Sequence, residues 1–167
     1  MQLDPGRYDM LVLGRESLRA YARCDKNKVP ELTLPGTKKD PLPFLSYTNN
    51  AYLGRMVELI LGDAKIPLHL DPRYETDMAE GLKMMALEGR GIAFLPESAV
   101  ARELKQKLLA RADNDTAEWE IEMDIRLYRE RPTPQRRGKA IVEQLWAFLE
   151  RQQNDSARKR RIAVSER

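Results

Sequence analysis

Apolar positions along this chain follow two periods, one of two residues and one of about 3.6, and the switches between them outline its elements. Met10–Leu13 is a short apolar run, and Leu18–Cys24 alternates loosely as a second strand. Residues 25–43 are rich in lysine and proline, with one glycine, and read as a connector. Phe44–Tyr47 then predicts a strand. Leu53, Met56, Val57, Ile60 and Leu61 form a helical stripe closed by Gly62. Ile66, Leu68 and Leu70 alternate with Pro67 and His69, predicting a strand that Pro67 pushes to a sheet edge. Met78, Leu82, Met85 and Ala86 share one face of a helix over 78–88, with Asp77 and Glu80 spaced as a capping box. After Gly89 and Gly91, the wholly apolar Gly91–Leu95 predicts a short strand covered on both faces and stopped by Pro96.

Beyond it, Val100, Leu104 and Leu108 line up on a helix spanning 98–109, and 112–117 is a polar loop. Ile121, Met123, Ile125 and Leu127 alternate with charged residues, the mark of a strand with one wet face. A proline-broken turn at 132–134 precedes a helix whose buried side is expected to carry Ile141, Leu145, Phe148 and Leu149. From Asn154 the apolar pattern fails, and the basic run 157–161 suggests a disordered tail.

Strands alternating with helices predict an α/β fold with a mostly parallel sheet. The early connector and the late polar loop bracket the middle of the chain, so 43–118 is expected as one lobe inserted into another formed by 1–42 and 119–153, with 154–167 as the tail. On that expectation 121–127 and 91–95 belong to different sheets. The 167 residues suffice for one core or two small lobes. A net charge of +3 with both signs interspersed does not indicate a dedicated nucleic-acid surface, despite a pI near 9.0. The single Cys24 excludes an internal disulfide and fits a reducing compartment. The N-terminus has no signal-peptide pattern and no stretch is long and apolar enough to span a membrane, so a cytoplasmic chain is expected.

Candidate chemistry gathers at strand-to-helix junctions. Ser46, Thr48, Asn49 and Asn50 stand where free N–H groups and a helix dipole could hold a ligand, although Thr48 or Asn49 could equally be a simple cap. Thr76, Asp77 and Met78 occupy the next junction. An Asp77 carboxylate capping the helix would already fill the place of an anionic ligand, favouring a neutral, cationic or redox signal. Met78, Met84 and Met85 share one helix; packing explains them, while sulfoxide formation at Met78 is the functional alternative. His69 has no metal-ligand partner, Cys24 no base or second thiol, and no glycine-rich phosphate loop, Ser/His/Asp set or carboxylate–histidine cluster is present. An enzyme is therefore not expected, nor a cofactor or metal.

The string LEGRGIAFLP resembles a signature of the effector-binding domain of LysR-type transcriptional regulators. YDMLVLGRESLRAYARCD, PFLSYTNNAYLGR, TDMAEGLKMMALEGRGIAFLP and MDIRLYRERPTPQRRGKAIVEQLWAFL follow in that family's order, from about Tyr8 to Gln152. The resemblance implies a two-lobed fold of periplasmic-binding-protein type 2, its second lobe complete and its first partial. A small-molecule effector of unknown identity would bind between the lobes at Ser46, Thr48, Asn49, Thr76, Asp77 and Met78, with Phe94 and Pro96 lining the crevice floor, although core packing explains Phe94 equally well. It also implies a homodimer or tetramer in the intact regulator, and DNA contact only through a winged helix-turn-helix that nothing here resembles. Arg158–Arg161 could touch phosphates, but a solvated tail is the simpler reading. SYTNNAYLGR and the methionine of TDM look most like the hypochlorite-responsive branch, where methionine oxidation is the signal. A fragment of a solute-binding protein of the same architecture is the alternative.

Overall fold

The computed structural model describes residues 3–114, 118–132 and 139–165, with side chains through 153. In chain order the elements are β1 (Tyr8–Arg23), β2 (Leu42–Tyr47), α1 (Tyr52–Asp63), β3 (Leu70–Thr76), α2 (Ala79–Leu87), β4 (Ile92–Pro96), α3 (Glu97–Lys105), β5 (Leu109–Arg111), β6 (Ile121–Glu130) and α4 (Ala140–Ser165). Two compact units emerge: Glu16–Met123, and Met1–Arg15 with Asp124–Arg167.

In the larger unit the sheet runs β3-β2-β4-β1-β5. β2 is parallel to β3 and β4, whereas β1 is antiparallel to β4 and β5, so the sheet is mixed and not mostly parallel as the alternation of elements suggested. Its centre is β4. Ile92, Ala93, Phe94 and Leu95 are fully buried, as an apolar run with both faces covered requires. Leu82 and Ala86 of α2, Val57 and Ile60 of α1 and Val100 of α3 pack in the same core. Helix α2 closes on Gly89, at φ +75°, with Gly89 N–H donating to the Ala86 carbonyl and Arg90 N–H to that of Met85, the paired bonds of a Schellman turn. Gly91 is small for a different reason: a Cβ there would come within 2.5 Å of the Pro43 carbonyl oxygen.

The boundaries expected from sequence shift. Residues 16–42 and 119–123 belong to the larger unit, because Leu18, Ala20, Tyr21 and Ala22 are buried in its core. Buried Leu34 also ties the connector to it, donating its N–H to the Ala112 carbonyl. The two strands expected at 10–13 and 18–24 are one 16-residue strand. Because β1 pairs β6 as well as β4 and β5, residues 121–127 and 91–95 lie in one six-stranded sheet, against the expectation of separate sheets. Gly62 lies inside α1, which continues to Asp63.

The strand expected at 66–70 is displaced to 70–76. It is an edge strand, as expected, but its proline is Pro72. Helix α3 stops at Lys105, where Lys107 takes φ +55° and Leu108 N–H reaches the Glu103 carbonyl. Leu109 then leaves the helical stripe to form β5. The turn expected at 132–134 falls partly outside the described residues.

In the smaller unit, α4 is held by polar anchors around one tryptophan. Arg129 donates to Asp9 (3.0 Å) and Glu143 (2.7 Å) and lies 4.5 Å over the Trp146 ring, whose Nε1 donates to Glu150. Arg131 also donates to Asp9, and Gln153 to the Val12 carbonyl. Trp146 is buried, whereas Ile141, Leu145 and Phe148 are 50–68% exposed and Leu149 is half-buried, reversing the expected buried side. The helical period was right, but the face turned inward is chosen by Trp146 and its ionic partners. Helix α4 runs on to Ser165, past Asn154 where a disordered tail was expected. The alanines, arginines and lysine of 157–163 are good helix formers, and no glycine or proline interrupts them.

Candidate functional site

Parallel pairing of β2 with both β3 and β4 sets the carboxyl ends of these three strands side by side, each followed by a helix. In open α/β sheets such ends are where ligands bind. Register makes the grouping concrete: Ser46 is opposite Glu75 and Tyr47 opposite Thr76, and Thr48 N–H donates to the Thr76 carbonyl at 3.1 Å. Ser46, Thr48 and Thr76 are thus brought together. The Ser46 hydroxyl donates to the Tyr74 carbonyl at 3.2 Å, and Thr76 Oγ1 accepts from Met78 N–H at 3.4 Å.

Helix α1 has Ala51 at its N-cap, with no side-chain bond there, and has no acidic residue in its first turn. Neither Thr48 nor Asn49 caps it. The Thr48 carbonyl accepts from Ala51 N–H, while Asn49 and Asn50 are exposed. Helix α2 has Met78 at its N-cap, again with no side-chain bond, so the capping box expected of Asp77 and Glu80 does not form. β3 extends through Thr76 and shifts the helix start one residue later than a box would need. Asp77 is exposed, and Glu80 pairs instead with Lys83 at 2.8 Å. Glu75, Asp77 and Glu80 are all exposed around this end of the site, making it locally acidic.

The methionines separate clearly. Met78 is 62% exposed and precedes α2, Met84 is exposed, and Met85 is half-buried against the core. Phe94 does not line a crevice floor: it is fully buried, edge-on to Phe44 with ring centroids 6.2 Å apart. Pro96 is half-buried, opposite Leu18, at the N-cap of α3. His69 serves the connector through its backbone, bonded to Pro35 and Leu42. Burial pushes the Cys24 thiol up, away from the reactive thiolate.

Three neighbouring features escaped sequence reasoning. Glu16 accepts the Ser98 N–H at the start of α3, from 82 positions away. Lys83, nominally on the polar side of α2, is buried and donates to the Ala99 carbonyl while facing Glu103 at 3.7 Å, joining α2 to α3. Tyr47 is buried with a hydroxyl that has no hydrogen-bond partner, and desolvation raises its pKa. None leaves a local sequence signal, except that a lysine four residues before Leu87 and one after Leu82 sits at the border of the apolar stripe.

Comparison with known proteins agrees with this geometry. Residues 2–154 match the model of the LysR substrate binding domain. The chain is 32% identical over 107 residues, 64% of its length, to the HTH domain-truncated transcriptional regulator QseD of Escherichia coli O157:H7, of which the aligned stretch spans 41%. It resembles the apo regulatory domain of HypT from Salmonella typhimurium with a TM-score of 0.77 and 27% identity, covering 92% of this chain and 68% of that one. Full-length HypT, described as a hypochlorite-specific LysR-type transcriptional regulator, matches with a TM-score of 0.73 and 27% identity over 87% of this chain and 48% of that one. The relatives are transcriptional regulators, and no helix among the described residues is long and apolar enough to cross a membrane. The four segments in family order, the type 2 periplasmic-binding-protein-like α/β fold and the match over 2–154 converge: the chain belongs to the family of LysR substrate binding domains.

Proposed function

We propose that this chain is the signal-sensing part of a LysR-type regulator, taking up a small molecule at the carboxyl ends of β2 and β3. The observation that carries this reading is the grouping of Ser46, Thr48 and Thr76 beside the uncapped start of α1. That start offers N–H donors and a positive dipole end to an acceptor oxygen. The exposed carboxylate of Asp77, with Glu75 nearby, favours a donor or cationic group at the other end and disfavours a wholly anionic effector. The effector is therefore a neutral or cationic molecule carrying an acceptor oxygen. Its differential affinity for two arrangements of the domain would bias DNA-reading domains in the intact oligomer. Catalysis plays no part in this reading, and a transport role is the less economical one because the relatives are regulators.

Calorimetric titration with a panel of small amides, amines, amino acids and carboxylic acids tests it. Thr76→Val should abolish any binding found while leaving the fold intact, and Asp77→Asn should shift preference toward anions. Binding confined to dicarboxylates, or unaffected by Thr76→Val, would contradict the assignment.

A redox signal is the second reading, favoured by the 62% exposure of Met78 beside this site. Mild hypochlorite should then oxidise Met78 before Met85. Met78→Leu, at a stability cost of roughly 1.5 kcal/mol or less, should abolish the accompanying spectroscopic change. Equal oxidation of the two residues by mass spectrometry would end this reading.

A further inference from the structure

Helix α3 is gripped at its first turn from two directions within the larger unit. From β1, Glu16 accepts the Ser98 N–H at 3.1 Å, and the Arg19 guanidinium faces Glu97 at 3.6 Å while pairing with Glu120, just ahead of β6. From α2, Lys83 donates to the Ala99 carbonyl at 3.1 Å. Glu16 and Glu120 stand close in sequence to the places where the chain passes between the two units, after Arg15 and after Met123. The first turn of α3, at 97–99, therefore ties both crossover strands to α2, whose start at Met78 borders the candidate site.

Lys83 is a poor choice for a spacer. It is buried, and a methionine would fill much the same volume without desolvating a charge. Its partners form two incomplete sets. Lys83 Nζ pairs with Glu80 at 2.8 Å and bonds Ala99, but it stands 3.7 Å from Glu103, too far for a hydrogen bond. The Lys83 and Glu103 side chains are largely covered, and Glu103 Oε2 is buried with no hydrogen-bond partner. A buried carboxylate oxygen in that condition favours any movement that brings a donor to the carboxylate. Closing the 3.7 Å gap to ~2.8 Å needs a relative movement of α2 and α3 of about 1 Å.

We propose that Lys83 is a two-position relay between the start of α2 and the crossover strands. In the arrangement seen, its ammonium holds Glu80 on its own helix and Ala99 on α3. A ligand bound at the start of α2 advances that helix, and the ammonium passes from the Ala99 carbonyl to the Glu103 carboxylate. The first turn of α3 shifts with this exchange, moving Ser98 against Glu16 and Glu97 against Arg19, so that the signal reaches both strands. The relay rests on the effector reading for its input, but its wiring does not. Coupling between two sites is reciprocal, so the wiring is testable from its far end with no effector present.

Amide hydrogen exchange of the full chain, followed by NMR, provides that test. Two amides are read: Ser98, bonded to Glu16, and Leu82, bonded to the Met78 carbonyl at 3.2 Å. Rates are taken relative to the Val57 amide in α1, which removes any change in global stability. Glu16→Ala should speed Ser98 exchange directly and change Leu82 exchange by about threefold or more. In a Lys83→Met background the Leu82 response to Glu16→Ala should disappear while the Ser98 response persists. Should Lys83→Met fail to fold, Glu103→Gln decides, because it keeps the side chain's shape and removes the charge that draws Lys83; it too should suppress the Leu82 response. A Leu82 amide indifferent to Glu16→Ala overturns the relay, as does a response that survives both Lys83→Met and Glu103→Gln. Failure of the calorimetric titration with this coupling intact would remove the effector reading and leave the wiring; binding without the coupling would remove the relay alone.

Discussion

Replacing Arg129 with methionine should release helix α4 without disturbing the larger unit's core. Methionine keeps an apolar stem of similar length but removes three attachments: the stacking over Trp146 at 4.5 Å and the bonds to Asp9 at 3.0 Å and Glu143 at 2.7 Å. The cation–π contact at a largely covered ring contributes about 0.5–2 kcal/mol. The ion pairs contribute roughly 0.2–1 kcal/mol each, discounted because the Asp9 and Glu143 side chains are 27% and 45% exposed. Together the loss is about 2 kcal/mol. The molecule supplies its own reporters, since each unit holds one buried tryptophan, Trp146 in the smaller and Trp119 in the larger. In a Trp119→Phe background, urea unfolding followed by Trp146 fluorescence should show Arg129→Met lowering the midpoint by about 1–2 M, taking a slope near 1 kcal/mol per M for so small a unit. The same substitution read through Trp119 in a Trp146→Phe background should move much less. If the Trp119 transition shifts and the Trp146 transition does not, Arg129 is not what holds α4.

The pH dependence of the same anchor has a definite sign. The guanidinium of Arg131, and after it that of Arg129, hold the Asp9 carboxyl below its ordinary value near 3.8 despite partial desolvation. A depressed carboxylate stabilises fully above its unfolded value and loses that contribution as pH falls through the folded one, so Asp9→Asn should flatten the acid limb of the Trp146-detected stability profile below about pH 4. An unchanged limb would show that Asp9 does not carry it. Gly91→Ala should destabilise by about 1–3 kcal/mol, since the new methyl would stand 2.5 Å from the Pro43 oxygen, whereas Gly14→Ala, with nothing within 4 Å, should be near neutral; thermal melts separate the two. Tyr47→Phe should leave the melting temperature unchanged or raise it, because the lost hydroxyl is buried without a partner and its desolvation cost of about 1–3 kcal/mol disappears with it. A marked fall would mean that the hydroxyl bonds an ordered water.

The elements that were legible from sequence are those whose burial is decided locally. Gly91–Leu95 has no polar residue to turn outward, so it must be covered on both faces wherever it lies, and β4 is fully buried. The α1 stripe and the Gly89 turn follow from periodicity and backbone preference in the same way. The position of residues 46–50 and 76–78 just ahead of a helix was also legible, because the apolar stripe of each helix begins directly after them.

Tertiary structure decided what depends on partners distant in sequence. Whether Asp77 caps α2 turned on how far β3 extends, and that length is set by pairing with β2. Phe94 looked equally suited to a crevice floor or to the core until Phe44 took its edge. The inward face of α4 was chosen by Arg129 and Asp9 from other strands, against the helix's own count of apolar residues. Sequence periodicity determines which faces an element has, because it is local geometry. Which face is buried is a competition between partners, and only the folded chain holds all of them at once.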